Sequence, residues 1–547
     1  MPSRRLVALA LLSVAALGVG AAGLGLARQR AFDGVERALR KADLQVSGRR
    51  AALAEHHWLG VQGAGVHISR LELRLLPAPR LRVVEPVIDA DKVDLDGLLA
   101  ARPGPAAAPG PLDALTAALL PALAEAATAD LVNGAVHLKG EPLLTGLNGP
   151  LWPAPDVKGP DGQLGLDQGV PRAQLRRKIE LAWITADATL DLRCAGPACT
   201  FGLSLVDCMI DEPHLAPGPL PVLRLAATGD WDRSTHGLSG GVELGPLRVA
   251  VSGRLQPDPL DFDLALELAD APLEAVVALF GPRVPEGRRG TLGGTVGLSL
   301  RLQGMPLRWS AQPRATDLSA EGVVPDMDAL RGGPIRWTAA GPDGATRLRE
   351  TGEGTRGWVP LQASGLVPAA FIAAEDAEFR QHRGYSLTAV QAALDEASAE
   401  GGWMQRGGST ITQQLVKNLY LDGQDRSLAR KLRELLLALD VDRGLSKERV
   451  LALYINLVEL GPEIYGVGPA ADAYFLKQPA RLTAREAAFL ATLLPSPRRG
   501  HRRYLANDPP DARLDQIIDN MAMMRAIDPQ TAARARDEIL RLVPPAR

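Results

Sequence analysis

Cysteine is nearly absent from this chain. Three residues in 547, at 194, 199 and 208, are too few for a disulfide scaffold or a cysteine-rich zinc module. Aromatic side chains are also scarce, 22 in all, and no tyrosine precedes Tyr385. An excess of charge of either sign is missing too: 61 Lys and Arg face 63 Asp and Glu, a net charge of −2, which excludes a global basic footprint for nucleic acid. What is plentiful is Gly and Pro, 56 and 43 residues, so turns are frequent. An apolar content of 46% over this length excludes a disordered tail or a collagen-like fibre and allows more than one globular core.

Only one long apolar run occurs. Leu6 to Ala27 carries no charge and is flanked by Arg4, Arg5, Arg28 and Arg30; at helical rise it would cross about 30 Å of hydrocarbon. A cleaved signal peptide has a shorter apolar core, of about 7–15 residues, so the expectation for residues 1–30 is an uncleaved signal anchor, a single transmembrane helix. Arginines on both flanks leave the positive-inside rule silent on its orientation.

From residue 60 to about 345 the pattern changes to period two. Leu71, Leu73 and Leu75 alternate with Glu72 and Arg74, Phe262 to Leu268 alternates with acidic residues, and Val296, Leu298, Leu300 and Leu302 repeat the pattern. Alternation of this kind puts one face of an antiparallel sheet inward. A Pro/Ala/Gly tract at 102–111 reads as a linker, followed by an Ala/Leu-rich helix to about residue 127. Cys194 and Cys199 bracket a short loop and either pair in an oxidising compartment or stay as buried thiols. No metal-ligand spacing and no catalytic constellation occurs here. The layout resembles the AsmA-like β-rich envelope proteins in pattern alone; a plain β-spacer is the alternative.

Chemistry gathers in the C-terminal part. Pro368 suits the first turn of a helix reaching about Arg380, and Phe371, Glu375 and Phe379 are four apart, so they would share one face. A carboxylate between two rings loses hydration and becomes a general base useful near neutral pH; an edge glutamate with its head in water is the alternative. Next, Gly407-Gly408-Ser409-Thr410 precedes a helical run through Gln413 and Lys417. It reads as an anion site at a helix N-terminus or as an ordinary capped helix. A third helix, from Ser427 to about Asp440, places Arg426, Arg430 and Glu434 at intervals of four. It is either a cationic ladder for phosphate or a chain of ion pairs worth about 0.3–0.5 kcal/mol each.

Taken together, these segments resemble the family 51 peptidoglycan glycosyltransferases. The resemblance rests on Trp358-Val359-Pro360-Leu361, on Ala374 through Gly384, on Gly407 to Leu421, on Arg430-Lys431-Leu432-Arg433-Glu434 and Ser446-Lys447-Glu448-Arg449, and on Tyr454-Ile455-Asn456, Tyr465-Gly466-Val467 and Ala470 to Phe475. It implies a mostly α-helical, lysozyme-like domain that polymerises lipid II into β-1,4-linked glycan with release of undecaprenyl diphosphate and inversion. It also implies Glu375 as general base and Glu434 as the second glutamate, on the leaving-group side. Lys417, Arg426 and Arg430 would meet the diphosphate, with Ser409, Thr410 and Gln413 positioning donor phosphate or sugar. No cofactor is required, a divalent cation is allowed, and no dedicated metal site is expected. The chain departs from the family pattern in two places. Ser386 follows Tyr385 where the family often has Asp after an aromatic, and the loop between Lys417 and Arg426 is longer than in some members.

The expected architecture is therefore multidomain: anchor (1–30), β-rich envelope region (31–345), glycosyltransferase domain (346–510) and a helical tail (511–547). Neither Ser-x-x-Lys nor Lys-Thr-Gly occurs, so penicillin-sensitive transpeptidation is not expected. The expected partners are lipid II, the lipid-linked glycan chain, the inner membrane and other cell-wall synthesis proteins, with no nucleic acid. The expected location is the inner membrane with the catalytic domain in the periplasm. Rival functions are a lytic transglycosylase and a non-catalytic or lipid-binding envelope scaffold with a degenerate transferase domain.

Overall fold

The structure is a computed structural model. It describes residues 45–543 apart from 52–54, 64–65, 75–79, 90–127, 139–140, 153–155, 160–161, 168–169, 182–183, 196–197, 233, 258–259, 305–306, 342, 400–407, 422–424 and 506–509. The linker at 102–111, the helix after it, and the segment holding Trp403 and Met404 lie outside the described residues. The chain divides into two compact units. The first is residues 1–209, 221–245 and 250–260; the second is 210–220, 246–249 and 261–547.

Strands dominate the first unit, as its alternating sequence predicts. They are β1 (Gln45–Ala51), β2 (Glu55–Gly63), β3 (Val66–Arg74), β4 (Arg80–Asp89), β5 (Thr128–Leu138), β6 (Glu141–Trp152), β7 (Asp156–Gly159), β8 (Gly162–Asp167), β9 (Val170–Leu181), β10 (Ile184–Ala195), β11 (Ala198–Ile210), β12 (Leu220–Asp232), β13 (Gly237–Leu244) and β14 (Leu247–Pro257). Neighbours β1 to β4 pair antiparallel. The pair β4–β5 is parallel, which requires a crossover rather than a hairpin. Cys199 is disulfide-bonded, and Cys208 is a free, buried thiol.

After the segments 210–220 and 246–249, the second unit continues with β15 (Leu260–Pro272), β16 (Thr291–Gln303) and β17 (Arg308–Glu321), an antiparallel meander. Helix α1 (Leu273–Ala278) and a 3-10 turn at Pro285–Arg288 interrupt it between β15 and β16. Helix α2 (Met327–Gly332) leads to the hairpin β18 (Ile335–Ala340) and β19 (Thr346–Thr351), where Ile335 and Trp337 point inward and Arg336 outward. The rest is mainly helical: α3 (Val367–Glu375), α4 (Leu387–Ala399), α5 (Ile411–Tyr420), α6 (Leu428–Gly444), α7 (Lys447–Leu457), α8 (Val467–Phe475), α9 (Ala484–Thr492), α10 (Pro497–Leu505), α11 (Asp511–Met523) and α12 (Pro529–Asp537). A short pair, β20 (Glu459–Gly461) and β21 (Ile464–Tyr465), lies between α7 and α8.

One apolar core runs through this unit, from Ala216, Leu273, Phe280 and Val323 to the buried aromatic rings Phe371, Phe379, Tyr454, Tyr474 and Phe489. The helices begin where side chains satisfy their first N–H groups. Thr410 with Gln413 and Thr483 with Glu486 form capping boxes, and Ser427, Ser446 and Asp528 cap α6, α7 and α12.

The transmembrane element of the expected architecture is corrected. No helix among the described residues is long and apolar enough to cross a membrane. The longest, α6, has 17 residues and carries Arg430, Lys431, Arg433 and Glu434, whereas a span needs about 20 mostly apolar residues. The run Leu6 to Ala27 lies outside the described residues.

Candidate active site

Helix α3 stops at Glu375, because the next residue, Asp376, leaves helical backbone at φ −162° and ψ 70°. The sequence pattern carried this helix to about Arg380; it ends five residues sooner. Asp376 has stronger partners than another turn would supply. Its buried carboxylate accepts the Nε2–H of His382 at 2.8 and 3.0 Å and the backbone N–H of Ile411 at 2.9 Å. Phe379 therefore does not share a helical face with Phe371 and Glu375. It lies beyond the helix against the edge of His382, with Lys447 over its ring.

Glu375 is half-buried, and one of its oxygens is engaged: Oε2 accepts Nε2–H of Gln414 at 2.8 Å. Gln414 in turn accepts the hydroxyl proton of Tyr454 on Oε1 at 2.7 Å. Tyr454 is fully buried and packs edge-on against Phe371, centroids 6.1 Å apart. Burial pushes the Glu375 carboxyl above its ordinary range, while the Gln414 hydrogen bond and the charges of Arg513 and Lys417 oppose the rise. The direction expected from sequence holds. Its cause is burial among α3, α5 and α7 rather than two flanking rings.

The second carboxylate is enclosed by cations. Glu434 on α6 is fully buried; Arg430 Nη1 donates to its Oε1, and Lys431 Nζ donates to its Oε2 at 2.6 Å. Lys431 also donates to Ser409 Oγ at 2.7 Å. Lys417 on α5 lies within the field of both carboxylates, yet burial is the largest influence on its ammonium and pulls its pKa below the usual lysine range. Among the described residues neither Lys417 nor Arg426 has an ion-pair partner, and Arg426 is exposed. The Nε of Arg430 is buried without a hydrogen-bond partner.

Thr410 and Gln413 are held elsewhere. Thr410 Oγ1 donates to Gly384 O at 2.8 Å and accepts the N–H of Gln413, whose Oε1 accepts the N–H of Thr410 at 3.0 Å. The anion that the α5 N-terminus favours is supplied by the chain itself, as the carboxylate of Asp376 on Ile411 N–H. The motif glycines serve close approach. Gly384 has φ +79°, and a Cβ there would stand 2.7 Å from Ala438 O; a Cβ on Gly408 would strike Ala389 O. Ser386, the departure from the family pattern, accepts the N–H of Ala389 at 3.1 Å and so caps α4. Serine and aspartate are both good N-caps. Among the described residues, no three His, Cys, Asp or Glu stand close enough to hold a metal ion.

The family model described as Transglycosylase matches residues 345–522. Over 173 residues the chain is 42% identical to a biosynthetic peptidoglycan transglycosylase of Alcanivorax borkumensis, an alignment covering 31% of this chain and 68% of that protein. The chain belongs to the transglycosylase family. The proteins of the same name from Janthinobacterium sp. and Bordetella pertussis are 41% and 45% identical, over 30% and 26% of this chain and 70% and 60% of theirs. Like them, this transglycosylase is a peptidoglycan glycosyltransferase. The β-rich residues before 345 lie outside the matched segment.

Sequence reading of the transglycosylase site gave no role to Gln414, Tyr454, Asp376 and Lys431, although its motifs contain them, and passed over Arg513. Gln414 lies three residues before Lys417, at a spacing that shares a helical face. Tyr454 carried no signal beyond its motif and Arg513 none at all, because they reach the site only through packing of α7 and α11.

Proposed function

We propose that this transglycosylase extends glycan strands from lipid II, with Glu375 as general base. The Oε1 of Glu375, the oxygen not engaged by Gln414, takes the proton from the 4-hydroxyl of the acceptor lipid II sugar. That oxygen attacks the anomeric carbon of the growing chain. A C–O bond forms on one face as the bond to the diphosphate breaks on the other, so configuration inverts and undecaprenyl diphosphate leaves.

The observation that carries this reading is the pairing of a desolvated carboxylate, Glu375, with a cationic group of Lys417, Arg430 and Lys431 around Glu434. A diphosphate leaving group needs positive charge more than a proton, and Lys417 is the half-buried cation of this group without an ion-pair partner among the described residues. Glu434 holds Arg430 and Lys431 in a fixed array, and Ser409 is tied to it through Lys431. Arg426 adds an exposed charge at the start of α6. Thr410 and Gln413 act on substrate through the α5 cap they build. The lipid-linked substrate supports a working position at the periplasmic face of the cytoplasmic membrane.

Incubating the full chain with labelled lipid II tests the reading. Polymer should form with the wild type, and none with Glu375→Gln despite an unchanged fold. Polymer at wild-type rate from the variant would remove Glu375 as the base.

A further inference from the structure

Helix α6 carries Arg430, Lys431 and Glu434, yet much of what fixes α6 lies outside the family-matched residues 345–522. Its first two N–H groups, on Leu428 and Ala429, donate to the carbonyls of His214 and Leu215 at 2.8 and 2.9 Å. The third, on Arg430, goes to the Ser427 hydroxyl at 3.2 Å. The segment 212–219 is itself pinned. The N–H groups of Leu215 and Ala216 return to Glu212 O, Arg283 Nη2 reaches Pro219 O at 3.2 Å, and Ala216 is fully buried.

A second restraint sits one turn along. Arg433 forks onto Glu286 through three hydrogen bonds of 2.9–3.1 Å, and Glu286, in the 3-10 turn at Pro285–Arg288, is 1% exposed. The bonds at the N-terminus fix α6 along its axis, and the fork fixes its rotation. Arg433 and Glu434 are neighbours about 100° apart around the helix, so clamping one aims the other. A buried Arg–carboxylate fork is a weak source of net stability and a strong source of geometry.

We propose that Glu286 and the segment 212–219 position the leaving-group side of the transferase: they hold α6 so that Arg430, Lys431 and Glu434 face Lys417 and the diphosphate. The proposal rests on the reaction assigned above. It makes residues upstream of the matched segment part of the working enzyme, with Glu286 a positioning residue.

The test uses the full chain with Glu286→Gln, the reciprocal pair Glu286→Arg with Arg433→Glu, and Leu428→Pro. Proline is compatible with the first helical position and the Leu428 side chain is exposed, so the last variant chiefly removes the N–H bonded to His214. Four quantities are read: kcat and KM for lipid II, amide exchange of residues 428–434, and the thermal midpoint. An interaction made only in the transition state lowers kcat rather than raising KM. Glu286→Gln should therefore reduce kcat by roughly tenfold in the folded enzyme, with KM little moved and faster exchange at 428–434. Leu428→Pro should act in the same direction, and the reciprocal pair should recover kcat. The proposal is overturned if Glu286→Gln and Leu428→Pro keep wild-type kcat and exchange, or if the reciprocal pair restores the thermal midpoint but not kcat. A folded wild type that does not extend lipid II would remove the reaction assignment instead; exchange at 428–434 in Glu286→Gln would then decide the positioning by itself.

Discussion

Gln414 holds Glu375 at 2.8 Å through its amide nitrogen, and it can present that nitrogen because its oxygen is fixed by the Tyr454 hydroxyl at 2.7 Å. A glutamine amide is ambidextrous; the carboxylate, which only accepts, selects its nitrogen end, and the tyrosine proton adds a second instruction by fixing the oxygen end. Tyr454→Phe keeps the ring on Phe371 and removes that instruction. With the Gln414 bond weakened, the charged form of Glu375 loses support and its pKa rises further. A base must be unprotonated to act, so the acidic limb of the pH–rate profile should move to higher pH, in Tyr454→Phe and more so in Gln414→Leu. The profile of kcat/KM against pH checks this. An acidic limb unmoved in both variants would disconnect the relay from the base.

The same raised carboxyl has a consequence for stability. Glu375 binds its proton more tightly folded than unfolded, since burial lifts its folded pKa. Its contribution is fully present below the unfolded pKa and is lost as pH rises through the folded one, so at neutral pH the charged group opposes folding. Glu375→Gln should therefore melt higher than the wild type at neutral pH. The difference should shrink as pH falls below the ordinary glutamate range. Thermal unfolding across that pH range checks it, and a neutral-pH midpoint at or below wild type would contradict the burial argument.

How much of this was legible in the sequence depends on the range of the interactions. The period-two runs at 262–268 and 296–302 became β15 and β16 because alternation is a local property of a strand. The 427–440 helix appeared as α6, starting after Ser427 as its cap requires and running on to Gly444. Glu375 was visible through its motif, whereas the end of α3 was not. That boundary is set by Asp376 reaching His382 and Ile411, the latter 35 residues away, and no window of helical periodicity contains that contact. The clamp of Glu286 on Arg433 spans 147 residues and was invisible for the same reason.

Thr410 illustrates how a motif residue can matter without touching substrate. Its hydroxyl accepts Gln413 N–H and donates to Gly384 O, and it is almost fully buried. Thr410→Ala should lower unfolding stability by about 0.5–2 kcal/mol, the usual loss for an N-cap. Thr410→Ser should retain most of it. Denaturant unfolding with a constant slope reads the difference. Equal stability in all three proteins would return the hydroxyl to substrate contact.

Lys417 sets the opposite limb of the pH profile. Burial lowers its pKa, although Glu434 and Glu375 both favour its charge. Its ammonium should therefore lose its proton at lower pH than an exposed lysine, and with it the stabilisation of the departing diphosphate. Lys417→Met removes the charge at every pH; loss of one preorganised group of this kind costs a factor of about 10²–10³ in kcat. Lys417→Arg keeps a charge that does not titrate in the working range, but carries it on a wider, planar head. It should be slower than wild type at neutral pH, with an alkaline limb moved to higher pH. Steady-state rates on lipid II across pH 6 to about 10.5, the ordinary lysine pKa, distinguish the cases. An alkaline limb identical in wild type and Lys417→Arg would mean that another group sets it. It would leave Arg430 and Lys431 as the cations that meet the diphosphate.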